Sequence, residues 1–297
     1  MRDLVGYGRQ RPTGTWPGGA RLAVSIVVNF EEGAERNVPD DGQQEPMIGE
    51  GLILAHQGRD MYGESAYEYG SRVGVWRLLR IFDKHRVPVT FFASARALER
   101  NPDATRAIVE SGHEICGHGY RWIESHHLTR EEERADIRKA VDTVTRLTGT
   151  RPVGWASRGA GPHTRELLIE EGGFLYDSGA FNDDVPYVAS VGAERILVVP
   201  YSRDVNDIRF WRGTLIVARH FREYMQTAFD LLYSESAESL RMMSVGVHCR
   251  ISGVPGRAPA LDDFIAYAKD LPGVWFARRA DIARAWLQRM DVTERAP

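Results

Sequence analysis

The feature that most constrains how this chain can fold is the apolar run Arg21-Leu22-Ala23-Val24-Ser25-Ile26-Val27-Val28-Asn29-Phe30, which ends abruptly in Glu31-Glu32-Gly33. A short β-branched run bounded by charge and glycine reads as a strand buried on both faces. Such strands belong to parallel sheets covered by helices. The rest of the chain keeps to that pattern. Val73, Trp76, Leu79, Ile81 and Phe82 form a broad helical stripe, which predicts a helix from about Tyr69 to His85. A strand at Pro88–Ala93 follows, then a helix opened by Asn101-Pro102-Asp103 and running through Val109. Glu114–Cys116 is a brief strand ending at Gly117-His118-Gly119. Thr129 then caps a helix with acids in its first turn, which Gly149 stops.

The alternation continues to the end. Strands are expected at 153–156, Ile196–Tyr201, Met243–His248 and Val274–Ala277, and helices at Thr164–Glu171, Phe221–Ser234, Leu261–Lys269 and Asp281–Met290. No repeat or linker divides residues 1–297, so one α/β domain is expected, a distorted (β/α) TIM-like barrel with polar residues at successive strand ends. Residues 34–65, rich in glycine, proline and charge, read as a long surface excursion, and a segment of that length is usually functional or oligomeric.

Charge limits the partners. The chain carries a net charge of −3 with 43% hydrophobic residues. No basic field points to nucleic acid or anionic lipid, and a small-molecule substrate is expected. The opening residues lack the apolar core of an export signal, and no run approaches the roughly 20 apolar residues of a membrane span. The expected location is therefore the cytoplasm, away from membranes. Cys116 and Cys249 are too few for a disulfide framework and read as semi-buried thiols. The N-terminal arm, with Tyr7, Trp16 and several arginines, and the 34–65 excursion are material for subunit contacts, so a homo-oligomer is expected.

Three polar clusters follow predicted strands: Asn29-Phe30-Glu31-Glu32-Gly33, His118-Gly119-Tyr120-Arg121-Trp122 and His248-Cys249-Arg250. Each has an ordinary alternative, namely a solvated turn, a hydrogen-bonded histidine or a core-edge histidine. In a parallel barrel, however, the carboxyl ends of the strands converge on one mouth. Adjacent carboxylates buried there repel, which raises the pKa of one and suits it to proton transfer.

The segments "RDLVGYGR", "NFEEGAE", "YEYGSRVGVWRLLRIF", "GHEICGHGYRWIESHH", "EEGGFLYDS", "DVNDIRF" and "SVGVHCRISGVPGR" resemble, in that order, the NodB-homology polysaccharide deacetylases, and most closely their allantoinase and cyclic-imidase branch. The resemblance implies a hydrolase of non-peptide C–N bonds. Glu31 and Glu32 would supply a catalytic base and a metal-binding carboxylate, with the assignment open between them, and His248 would be the general acid. His118 matches the first of two metal-binding histidines, but the second position is Trp122; Glu32 and His118 would be an incomplete site, with His126 as a substitute ligand. Catalytic zinc sites use three protein ligands. No tightly bound cofactor is therefore expected, and at most a weakly held divalent metal such as zinc. Tyr120, Trp122, Trp155 and Arg158 would wall the pocket, and Asp177 would orient a basic partner. The expected reaction is ring opening of a small cyclic amide, ureide or imide. The alternatives are a metal-dependent glycan N-deacetylase and a binding protein on a decayed scaffold.

Overall fold

The first expected strand forms over Leu22–Phe30 (β1), and all of its residues are buried. In a computed structural model, which describes residues 3–45, 59–210 and 217–295, β1 is the spine of one sheet. One edge pairs in parallel with Arg241–His248 (β8) along its length, from Leu22 opposite Arg241 to Asn29 opposite His248. The other edge takes Val274–Phe276 at its start and Thr90–Ala93 (β2) at its end. Beyond β2 lie Glu114–Gly117 (β3), Gly154–Trp155 (β4) and Tyr176–Asp177 (β5), all parallel. The hairpin Tyr187–Val191 and Glu194–Val198 ends the sheet, its outer strand running antiparallel. The sheet then curls back, and a single bridge between Asn206 and Gly246 ties its far end to the free edge of β8. This is the distorted barrel expected from the strand–helix alternation.

Strand parity divides the side chains into two cores. Leu22, Val24, Ile26, Val28 and Phe30 face the helices, together with Phe91, Val245 and Val247. Ala23 and Val27 face the barrel interior with Phe92, Cys116, Ala156 and Tyr176. A polar plug fills the barrel interior, from Glu114 at the amino ends of the strands to Arg279, whose side chain reaches the segments that follow β5 and Val198. Glu114 accepts hydrogen bonds from the Thr90 and Tyr176 hydroxyls and from the Ala280 N–H. Arg279, fully buried, donates to the Ser178 and Ser244 hydroxyls and to the Val199 and Pro200 carbonyls. A buried guanidinium is tolerable only when its donors are met in this way.

Several local expectations shift. The helix expected from Tyr69 begins at Met61 and reaches His85 through a π-helical turn at Gly70–Gly74. That turn packs on a short helix, Cys249–Ser252, so closely that a Cβ on Gly74 would overlap the Cys249 carbonyl oxygen. The strand expected at Ile196–Tyr201 stops at Val198, shortly before Pro200, which has no N–H to give a ladder. The helix Ala95–Arg100 and the strand β5 were not anticipated; each is too short to show a period. Within the expected excursion, Val38–Asp41 is helical and capped by the Asn37 side chain, while residues 46–58 lie outside the described residues. Cys116 and Cys249 are buried free thiols on opposite faces of the sheet. No helix among the described residues is long and apolar enough to cross a membrane.

Candidate active site

The inward parity of β1 carries Asn29 and Glu31 to the barrel mouth. There Glu31 meets residues from two other strand ends. His118 Nε2 lies 3.4 Å from Glu31 Oε1, and His248 Nε2 lies 3.7 Å from the same oxygen. The second oxygen is held at 2.8 Å by the Arg250 guanidinium. All four side chains are buried. The three clusters read from the sequence therefore converge.

Both imidazoles are fixed through their other nitrogen. His118 Nδ1 is bonded to the Ala156 carbonyl, which can only accept, so Nδ1 carries a proton. His248 Nδ1 faces Asp207 Oδ1 at 2.6 Å, and the His248 N–H donates to Asp207 Oδ2 at 2.7 Å. Asp207 also accepts from the Ser252 hydroxyl at 2.7 Å. Each Nε2 is thereby aimed at Glu31.

Electrostatics separate the acid from the base. Burial by itself would push the Glu31 carboxyl up, but Arg250 beside it, with His248 and His118, holds it well below the usual carboxylate range. Burial by itself would push His248 down, but Asp207 and Glu31 outweigh it and raise the imidazole above its ordinary value. A carboxylate kept ionised thus faces an imidazole kept protonated. Glu32 is shifted the other way, upward, chiefly by burial.

Glu32 is beside this group but does not join it. Its Oε2 accepts the Glu31 N–H and its Oε1 the Arg250 N–H, both at 3.1 Å, so it ties the end of β1 to the start of the Cys249–Ser252 helix. This bears on the metal implied by the resemblance. Glu32 is turned to backbone donors while His118 faces Glu31, and the cation beside both carboxylates is Arg250. His126 is exposed, with its Nδ1 3.1 Å from the Gly159 carbonyl and its ring against His127. Among the described residues no group of three or more His, Cys, Asp or Glu side chains is arranged to hold a metal ion. The donor set does not fit a metal on Glu32 and His118.

The expected pocket walls divide. Trp122 is buried near the cluster, its ring carrying Arg250 at 5.0 Å and Arg158 at 3.7 Å, with Tyr67 at 6.4 Å. Arg158 is committed to Glu45 at 2.6 Å and Glu124 at 2.8 Å, a small ionic lattice over Trp122. The other three lie elsewhere. Trp155 packs on Phe174 in the helix-facing core, because it is out of phase with the inward Ala156. Tyr120 bonds Glu99 and lies under Lys139 on the outer layer. Asp177 does hold a basic partner, Arg165 at 2.8 Å, but outside the cluster.

Asp207 is a functional candidate that the sequence did not single out, and Arg250 was named there only as part of its cluster, without a role, although both lie in segments that carry the resemblance. Arg250 follows His248 by two residues. Asp207 opens a four-residue helix, Asp207–Phe210, that no period marks.

A curled parallel sheet with a carboxylate–imidazole–guanidinium cluster at its carboxyl ends has the arrangement of a barrel-enzyme active site. The polysaccharide deacetylase model matches residues 64–169. The chain is 36% identical over 308 residues, covering 96% of each, to a Schizosaccharomyces pombe protein of the polysaccharide deacetylase group. The crystal structure of a probable polysaccharide deacetylase from Pseudomonas aeruginosa superimposes with a TM-score of 0.90 at 49% identity, covering 97% of this chain and 98% of that one. That of PuuE allantoinase gives 0.91 at 47% identity, covering 97% of each. The chain belongs to the polysaccharide deacetylase family, and it is a hydrolase of carbon–nitrogen bonds other than peptide bonds.

Proposed function

We propose that this enzyme opens a small cyclic amide, ureide or imide, with Glu31 as base and His248 as acid. The observation that carries the reading is that Glu31 and His248 face each other across 3.7 Å, each backed by its own partner, Arg250 lowering the Glu31 carboxyl and Asp207 raising the His248 imidazole. Two groups whose environments drive their pKa values apart are how one site runs both halves of a hydrolysis near neutrality. Likeness to an allantoinase along 97% of the chain supports a ring substrate.

In the proposed reaction a water lies between Glu31 and His118. Glu31 takes its proton as the oxygen attacks the sp² carbonyl carbon, giving a tetrahedral oxyanion. As the C–N bond breaks, the His248 Nε2 proton passes to the leaving nitrogen, and Asp207 stabilises the imidazolium until then. The proton held by Glu31 is then free to return to His248. Arg250 keeps the Glu31 carboxylate oriented and ionised, and no step requires a metal.

The test is turnover of allantoin, hydantoin, dihydrouracil, succinimide and an N-acetylglucosamine oligomer, with and without chelator. Ring opening that persists in chelator is expected. Hydrolysis of the acetylated sugar alone, abolished by chelator, would replace this reading with a metal-dependent deacetylase.

A further inference from the structure

A hydroxyl whose proton has no protein acceptor stands next to the acid–base pair. Tyr201 projects into the barrel, its ring 5.1 Å from Phe92 edge-on, and Phe92 in turn lies against His118. Its oxygen lies 3.1 Å from Asn29 Nδ2 and 3.0 Å from Asn206 Nδ2. The orientation of both amides is set by a second bond. Asn29 Nδ2 also donates to the Val247 carbonyl, and Asn206 Oδ1 also accepts the Ile208 N–H. Flipping either amide would set acceptor against acceptor or donor against donor. Tyr201 therefore accepts twice, which occupies both lone pairs of its oxygen, and its O–H is left to donate. Among the described residues nothing accepts that proton, and Tyr201 is only partly buried.

The backbone is arranged for this hydroxyl. A Cβ on Gly246, two residues before the end of β8, would overlap the Tyr201 oxygen. Asn29 shares a face of β1 with Glu31, two residues on, and Asn206 immediately precedes Asp207, the partner of His248. Burial of the ring pushes the phenol pKa upward, so the group stays a donor rather than an anion at neutral pH.

We infer that Tyr201 is a catalytic residue, donating its O–H to the carbonyl oxygen of the scissile amide and holding the oxyanion that Glu31-activated water creates. The inference rests on the hydrolytic reading above but not on the substrate being a ring. It supplies the charge stabilisation that a metal ion would otherwise give. The two amides polarise the phenol, because a hydroxyl that accepts two hydrogen bonds is locked in direction before substrate arrives.

The test is the kinetics of Y201F and N206A, and of protein carrying a ring-fluorinated, more acidic tyrosine at 201. For Y201F, kcat is expected to fall about 100- to 1,000-fold with KM within a few-fold. N206A, which keeps the hydroxyl, should lose less than tenfold, and the fluorinated residue should change kcat in step with phenol acidity. Were the hydroxyl only a tie between strands, Y201F and N206A would lower the melting temperature alike and leave kcat within threefold, which overturns the inference. Should the wild type hydrolyse only the acetylated sugar, the ring-opening reading fails while the same variants still test Tyr201 on that carbonyl. A wild type inactive on both kinds of substrate overturns the hydrolytic reading and this inference together.

Discussion

Glu31 holds a negative charge where only 1% of the residue is exposed, and Arg250 is what makes that tolerable. Removing one member of a buried ion pair leaves the other charged and desolvated. R250M is therefore expected to cost about 3–5 kcal/mol, read as a lower midpoint in urea with little change of slope. The pH dependence follows from the same contacts. Glu31 is lowered from its ordinary 4.5, so its contribution to stability is complete above that value and is lost as pH falls through its folded value. His248 is raised from its ordinary 6.5, so its contribution is complete below that value and fades as pH rises through its folded value. The proposed reaction needs Glu31 ionised and His248 protonated, which predicts a plateau of activity bounded by these two groups. D207N removes the main support of the imidazolium. The alkaline limb of the kcat profile should then move to lower pH while the acid limb stays; an unmoved alkaline limb would mean that another group protonates the leaving nitrogen.

At the scale of elements, what could be read from the sequence was what repeats within one element. The helix Arg130–Thr148 has its cap, acidic first turn and left-handed Gly149 where the residues indicated, with a capping box between Thr129 and Glu132. T129A should cost about 1 kcal/mol by thermal melting and leave kcat unchanged, because the helix end lies outside the acid–base cluster. Tyr176–Asp177 and Asp207–Phe210 went unread, since no period can be counted over them, whereas the equally short β2, β3 and β4 were legible from their apolar residues and flanking turns. Parity was the underused signal. It puts Asn29 with Glu31, and it turns Trp155 outward because Ala156 is inward. The resemblance made Trp155 a pocket wall, but the phase of its strand sends it to the helices.

For the molecule as a whole, closure of the sheet is the decisive event, and it rests on the Asn206–Gly246 bridge and on Arg279 inside the barrel. These contacts join residues far apart in the chain, so no local pattern announces them. The homo-oligomer expected from the arm and the excursion is a whole-molecule proposal with a simple check. Leu4 and Val5 are 80% and 81% exposed in the N-terminal arm, apolar surface of a kind that association would cover. Light scattering should give a multiple of 33.4 kDa, and a monomer mass at micromolar concentration would remove the idea.

The sequence by itself determined the alternation of strands and helices, the parallel barrel class, and the acidic and imidazole character of the strand ends. These are local properties, set by hydrophobic period, caps and residue type. Only the tertiary structure decided which glutamate faces the imidazoles, that Arg250 pairs with it, that Asp207 backs His248 while Asp177 pairs with Arg165, and that two amides converge on the Tyr201 hydroxyl. Each depends on side-chain direction at a strand end and on a partner brought in from a distant segment. Burial turns those directions into charge states, and burial exists only once the sheet has curled.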